Sequence, residues 1–295
     1  MKKAAVIGSG NVAEALVRAL AAAGAEDGTA SEALPLCADP RQPSADKRAA
    51  VGELASLAVP SSAAYRLVQV AARDRVRGEA LATLGGCAYT DRITSPAQAD
   101  IYLMAVSDAA IPELAASIDF HGGVVAHTAG GVDISALAPA EHRAVLYPLQ
   151  TFTAGREVDF RRIPLFIEAS TPRALETVEG LAQALSNTVH YTSSELRAQV
   201  HLAAVFASNF SNHMYAIAGR ILRENGVEFG VLGPLIEECA AKAVASDNPV
   251  LTQTGPAVRG DTATQNRHLG LLHDEGLRTI YRTISESIWK TSRKL

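Results

Sequence analysis

Residues Val6-Ile7-Gly8-Ser9-Gly10-Asn11-Val12-Ala13-Glu14-Ala15-Leu16 decide how this chain is read. An apolar strand runs into G-x-G-x-x-A and then into a helix with apolar periodicity. Each small residue has its own reason. Gly8 permits the tight turn. Gly10 lets the backbone approach a pyrophosphate, which a Cβ would obstruct. Ala13 leaves room for close helix–strand packing. The start of the helix offers free N–H groups and a positive dipole end to phosphates. A lone motif of this kind is weak evidence. Placed after strand Ala4–Gly8 and before helix Val12–Ala23, it implies a dinucleotide-binding unit with Gly8, Ser9, Gly10, Asn11 and Val12 at the phosphates.

The 295 residues leave room for one large or two ordinary domains. A hydrophobic content of 48% against 20% charged supports a sizeable core. The net charge of −4, with no basic tract, argues against nucleic-acid and anionic-membrane partners. Cys37, Cys87 and Cys239 are widely spaced, odd in number and form no C-x-x-C. They suit a reduced, cytoplasmic protein, and neither a zinc site nor any other metal site is expected. No leader is expected ahead of the first strand, and no apolar run reaches the ~18 residues of a membrane span.

Further strands are expected at Arg66–Ala72, Ile101–Ser107, Gly123–Thr128 and Arg143–Leu149, with Pro164–Glu168 near an edge because Pro164 cannot donate to a ladder. The second strand has two candidate registers. Leu34–Asp39 carries a proline, whereas the run from Tyr65 to Arg73 is better strand material. On the second register Ala25–Ala64 is an insertion between the first helix and the second strand. From Thr171 onward the β signals stop. Thr171–Leu185, Ser194–Asn225, Phe229–Ser246 and His268–Arg293 have helical periodicity, and Leu251–Gly270 reads as a polar loop. The domains are therefore expected at 1–170 and 171–295.

The strand register decides the cofactor reading. Arg73, ending the second strand, suits the 2′-phosphate of NADP. On the alternative register Asp39 would meet the 2′-hydroxyl of NAD. Ser107 and Asp108 follow the Ile101–Val106 strand, where a crevice opens, and either touch the cofactor or cap the next helix. His127 ends another strand and is a candidate proton donor, or else a strand-end histidine bonded to backbone. Gln150 ends the strand after that and is a candidate substrate contact. Asn209, Asn212 and His213 share one helical turn, with Asn209 and His213 an i,i+4 pair, and His201, Val205, Asn209 and Asn212 form a stripe. These polar groups need partners, from a ligand or from Glu237 or Glu238. Arg259, in the Gly255–Asp261 loop, could fork onto a substrate carboxylate, with Asp261 orienting it or capping the next segment.

Gly8–Ala13, Val106-Ser107-Asp108, His127-Thr128, Tyr147-Pro148-Leu149-Gln150-Thr151-Phe152, Ser208–His213 and Thr254-Gly255-Pro256 with Arg259-Gly260-Asp261 occur in one order. Together they resemble bacterial Rossmann-like NADP oxidoreductases whose helical C-terminal domain is of unknown function. These are distant relatives of pyrroline-5-carboxylate reductase, 6-phosphogluconate dehydrogenase and ketopantoate reductase. The resemblance implies an α/β fold: a doubly wound parallel Rossmann sheet, then an all-α domain of the 6-phosphogluconate-dehydrogenase type. It implies NADP as cofactor and a homodimer formed through the helical domain. It supports Arg73 as the phosphate reader, although Ala72 stands where relatives place a hydroxyl residue.

Asn209 matches the asparagine that follows a catalytic lysine in the related dehydrogenases, but Val205 occupies the lysine position. His127 and His213 are the substitutes this chain offers. The expected activity is hydride transfer to or from a small carboxylate-bearing carbonyl or imine. His127, Asn209 and His213 would serve the chemistry, and Gln150, Asn212 and Arg259 the substrate. The missing lysine keeps a second reading open, a non-catalytic NADP-binding redox or regulatory module.

Overall fold

The computed structural model describes residues 1–25 and 65–294. Its α/β part runs β1 (Lys2–Ile7), α1 (Asn11–Ala25), β2 (Tyr65–Ala71), α2 (Arg75–Leu84), β3 (Ala88–Thr90), β4 (Ile101–Met104), α3 (Ile111–Ser117), β5 (Val124–His127), β6 (Arg143–Pro148), β7 (Leu165–Ala169), α4 (Pro172–Leu185) and β8 (Val189–Tyr191). The strands form one sheet in the order β3-β2-β1-β4-β5-β6-β7-β8. All neighbours are parallel except β6 and β7. This is the doubly wound order, with its switch point between β1 and β4. The central strands are apolar on both faces because helices cover both. Ile101, Tyr102, Leu103 and Met104 are all fully buried.

β2 settles the strand register. Ile7 pairs with Ala71 and Val6 with Val70, while the other side of β1 is taken by β4. The neighbour of β1 is therefore the strand that leads into Arg73. The alternative strand Leu34–Asp39, Asp39 itself and the rest of the expected insertion lie outside the described residues.

β7 lies near an edge, as expected, with β8 alone on its outer side among the described residues. Pro164 is tolerated because the ladder begins at Leu165, one residue later. The β signals do not stop at Thr171. The three-residue strand β8 is too short to announce itself by alternation, and α4 buries Val178, Leu181 and Leu185 in the same core as β1, β4 and β7. The chain divides into two compact units at Ser211/Asn212.

The first unit closes with α5 (Ser194–Ala204) and a π-helical stretch, Val205–Phe210. Ser193 caps α5 by accepting from the Leu196 N–H. The second unit holds α6 (Ser211–Glu224), α7 (Gly233–Ala245), α8 (Pro256–Arg259), α9 (Thr262–Leu271) and α10 (Glu275–Ser292), the first turn of α6 straddling the division. The expected loop Leu251–Gly270 thus contains two helices. Gly255 and Gly260, both at positive φ, flank the single turn of α8. Asp261 caps α9, so the capping role expected as its alternative is the one it performs. The expected helix His268–Arg293 is broken by Asp274, which caps α10. Among the described residues of this unit only Ala257 is buried. No helix among the described residues is long and apolar enough to cross a membrane.

Candidate functional site

The turn after β1 shows two glycines with opposite constraints. Gly8 has φ +122°, and a Cβ there would run into the carbonyl of Ala105. Its N–H donates to the Ala71 carbonyl at 2.8 Å, locking the turn to the end of β2. No side chain fits such a position. Gly10 is different. A Cβ on Gly10 meets no protein atom within 4 Å. The protein therefore has no packing reason to keep that position bare, and the space in front of it is open pocket.

That pocket lies in the first unit and encloses about 1240 Å³. It sits at the carboxyl ends of β1, β2, β4 and β6, as expected for an open α/β sheet. Gly8, Ser9, Gly10, Asn11 and Val12 line it, with Arg73, Ser107, Thr128, Gln150 and Asn209. So do Tyr147 and His201, which the reading of the sequence assigned no chemical role. Arg73 and Asp74 are the acidic or basic residues of the lining, apart from His201.

Arg73 is exposed and makes no ion pair among the described residues. Asp74 caps α2 by accepting from the Arg77 N–H at 3.0 Å. Arg75 pairs with Glu79 at 2.8 Å. Arg77, which the sequence reading passed over, reaches the Asn11 amide oxygen at 3.4 Å. The Asn11 side chain donates to the Phe152 carbonyl at 3.0 Å, so it braces the pocket wall. Ser107 precedes a 3-10 turn without a side-chain capping bond. Its exposed hydroxyl faces the pocket, whereas Asp108 is not among the lining residues.

His127 is not placed as a proton donor. It is fully buried in β5, and the pocket is lined instead by its neighbour Thr128. Its Nδ1 accepts from the Ala129 N–H at 3.2 Å. Burial, reinforced by the Arg197 guanidinium, lowers its pKa to about 4, so the ring is neutral at neutral pH. This is the backbone-bonded histidine of the alternative reading. Asn209 does line the pocket, but from an exposed position rather than a core-facing one. The π turn supplies the reason. Its extra residue departs from the 3.6-residue stripe and brings Ala207, Ser208 and Asn209 together into the lining. Gln150 also lines the pocket, with its Oε1 accepting from the Thr151 N–H at 2.8 Å. Asn212, His213 and Arg259 belong to the second unit, the first two on α6 and the third ending α8, all exposed.

α5 is held by a group no local pattern announces. Arg197 is fully buried. Its guanidinium donates to the Glu168 carboxylate and to the Val132 carbonyl, both in short contacts, and to Ser194 Oγ at 3.2 Å. One helical turn later, His201 Nδ1 and the Tyr147 hydroxyl lie 3.1 Å apart.

A family model described as a domain of unknown function (DUF2520) matches residues 163–288. No curated protein sequence matches the chain. A solved structure of a "putative NADP oxidoreductase" from Bacteroides fragilis is 32% identical, covering 98% of this chain and 98% of that one, with a TM-score of 0.79. An imine reductase from Myxococcus stipitatus in complex with NADP+ is 14% identical over 99% of this chain and 93% of its own, with a TM-score of 0.54. A 1-pyrroline-5-carboxylate reductase from Streptococcus pyogenes is 11% identical over 100% and 99%, with a TM-score of 0.55. At these last two identities the likeness is one of fold.

Proposed function

This chain belongs to the Rossmann-fold oxidoreductase family of the Bacteroides fragilis protein, and on that premise we propose that it binds NADP(H) in the pocket at the end of β1 and reduces or oxidises a small carbonyl or imine compound. The observation that carries the reading is the contrast between the two glycines. Gly8 is required by the fold, whereas Gly10 leaves bare a space that the protein itself does not fill. A pyrophosphate at the start of α1 fits that space and takes up the free N–H groups of the helix. The bound nucleotide supplies the hydride.

The chain's own residues do the rest. The backbone from Gly8 to Val12 holds the phosphates. Arg73 takes the 2′-phosphate in a charge-assisted pair, which is why NADP is preferred to NAD in this proposal. Ser107 and Thr128 line the wall at the ends of β4 and β5. Gln150 and Asn209 orient the substrate's heteroatom. With Arg73 committed to the nucleotide, the lining offers no second Lys or Arg for a carboxylate. Arg259 remains the proposed carboxylate reader, with Asn212 and His213 as further proposed substrate contacts, on the chemistry of their side chains alone.

Replacing Arg73 by alanine is expected to weaken NADPH by about 1.5–3 kcal/mol more than NADH. Calorimetric titration of both nucleotides checks it. Equal losses for the two would remove Arg73 from the 2′-phosphate.

The proposal includes a homodimer through the helical unit. Among its described residues this unit buries one alanine and has no core of its own. Val231, Leu235, Val244, Leu251 and Leu271 remain largely exposed on it. Exposed apolar surface of this extent marks an association face. Light scattering at micromolar concentration should give the mass of two chains. The double variant Leu235→Glu, Val244→Glu should give one chain or an aggregated product. A wild type that is monomeric throughout sinks this part of the proposal.

A further inference from the structure

We propose that Tyr147 and His201 are the proton-delivering pair of the pocket: the Tyr147 phenol protonates the heteroatom of the substrate's C=O or C=N group, and His201 restores the phenol. The inference rests on the reading of the pocket given above and names the acid that His127 cannot be. Both side chains belong to the first unit and line the pocket. The phenol is mostly buried, 8% exposed, and among the described residues its hydroxyl has one hydrogen-bond partner, Nδ1 of His201 at 3.1 Å. The rings meet edge to face, with centroids 5.8 Å apart, and Tyr147 leans on Phe166 from another side. Burial raises the phenol's pKa, partly opposed by the Arg197 guanidinium, so it stays protonated and able to donate.

Gly130 shows that the pair is built into the fold. A Cβ on this buried glycine would stand 2.6 Å from His201 Nδ1 and 2.8 Å from Tyr147 Cζ. Any side chain there drives the two rings out of place. Arg197 ties α5 to Glu168 and Val132 one turn before His201, which fixes the backbone that carries the imidazole.

The proton balance follows from the hydrogen bond. For the phenol proton to point at a substrate, the phenol oxygen must accept, so Nδ1 carries a proton. As the substrate carbon gains its hydride, the heteroatom takes the phenol proton. The phenolate takes the Nδ1 proton. Nε2 takes one from water, which leaves as hydroxide, so no imidazolate forms, and exchange with solvent returns the ring to its Nδ1–H tautomer before the next turnover. Tyr147 is the catalytic donor, and His201 acts through it.

Two measurements test the pair. Nitrogen-15 spectra of histidine-labelled protein with NADP+ bound, assigned by the missing signal of His201→Asn, should show a protonated Nδ1. An unprotonated Nδ1 overturns the proposal. With NADPH and the cyclic imine 1-pyrroline as probe, Tyr147→Phe should lower kcat by about 100-fold with nucleotide affinity within about twofold. His201→Asn and Gly130→Ala should each lower kcat by about tenfold, leaving nucleotide affinity alone. A Tyr147→Phe enzyme as fast as wild type also overturns the pair. If the wild type binds NADP+ but does not turn over the probe, the nitrogen spectra alone decide. If it binds no NADP+, the proposed function falls first and this inference with it.

Discussion

Gly10→Val is expected to lose nicotinamide nucleotide affinity by more than about 100-fold, or about 2.7 kcal/mol, while melting where the wild type melts. The separation of the two effects follows from the open space around this glycine. A side chain at position 10 meets no protein atom within 4 Å, and the residue does not adopt the positive φ that only glycine tolerates well. Its methyl groups stand where a pyrophosphate would lie against the start of α1. Gly8→Val is the contrasting control. There the Cβ meets the Ala105 carbonyl at a φ of +122°, so the variant should fail as a folded protein. Calorimetric titration with NADPH and thermal melts of both variants decide the matter. Retained affinity in Gly10→Val, or a melting loss like that of Gly8→Val, would take the phosphates away from this turn.

Arg197→Ala should be the most damaging single change to a polar side chain, at about 3–5 kcal/mol of stability. The guanidinium is fully buried, and removing it leaves the Glu168 carboxylate without its cation and the Val132 carbonyl without its donor. Replacing both partners, as Arg197→Met with Glu168→Leu, should recover much of the loss, because no uncompensated charge then remains inside. Urea unfolding of the single and double variants reads this directly. A loss below about 1 kcal/mol in Arg197→Ala would mean that water reaches the site and solvates the carboxylate. The recovered double variant should also keep His201 in place, since the apolar pair still packs α5 against β7.

The order of elements from β4 to α4 was readable from the sequence because the information is local. Ile101–Met104 is apolar throughout, as a doubly covered parallel strand must be, and Ser193 announces the start of α5 by the residue type that caps it. The strands β3 and β8 were not readable, since three residues give no period to detect. The helices α8 and α9 were missed because Gly255 and Gly260 punctuate the chain as a loop would, yet each bounds a helix. His127 was misplaced for a related reason. Its position at a strand end was right, but neighbouring residues of a strand point to opposite faces, and the pocket received Thr128.

The sequence by itself determined the nucleotide turn, the α/β part followed by helices, and Arg73 as a cation near the end of a strand. All of these depend on residues within a few positions of one another. Only the tertiary structure decided which strand adjoins β1, because pairing is settled by competition between distant segments for the same edge. Only it brought Tyr147 to His201 across 54 positions, and Arg197 to Glu168 across 29. An arginine on a helix reads as solvated until the sheet that buries it is in place. A tyrosine on a strand reads as core until a histidine from another element meets its hydroxyl. In both cases the chemistry of the side chain is set by the partner that folding supplies, and no local pattern encodes that partner.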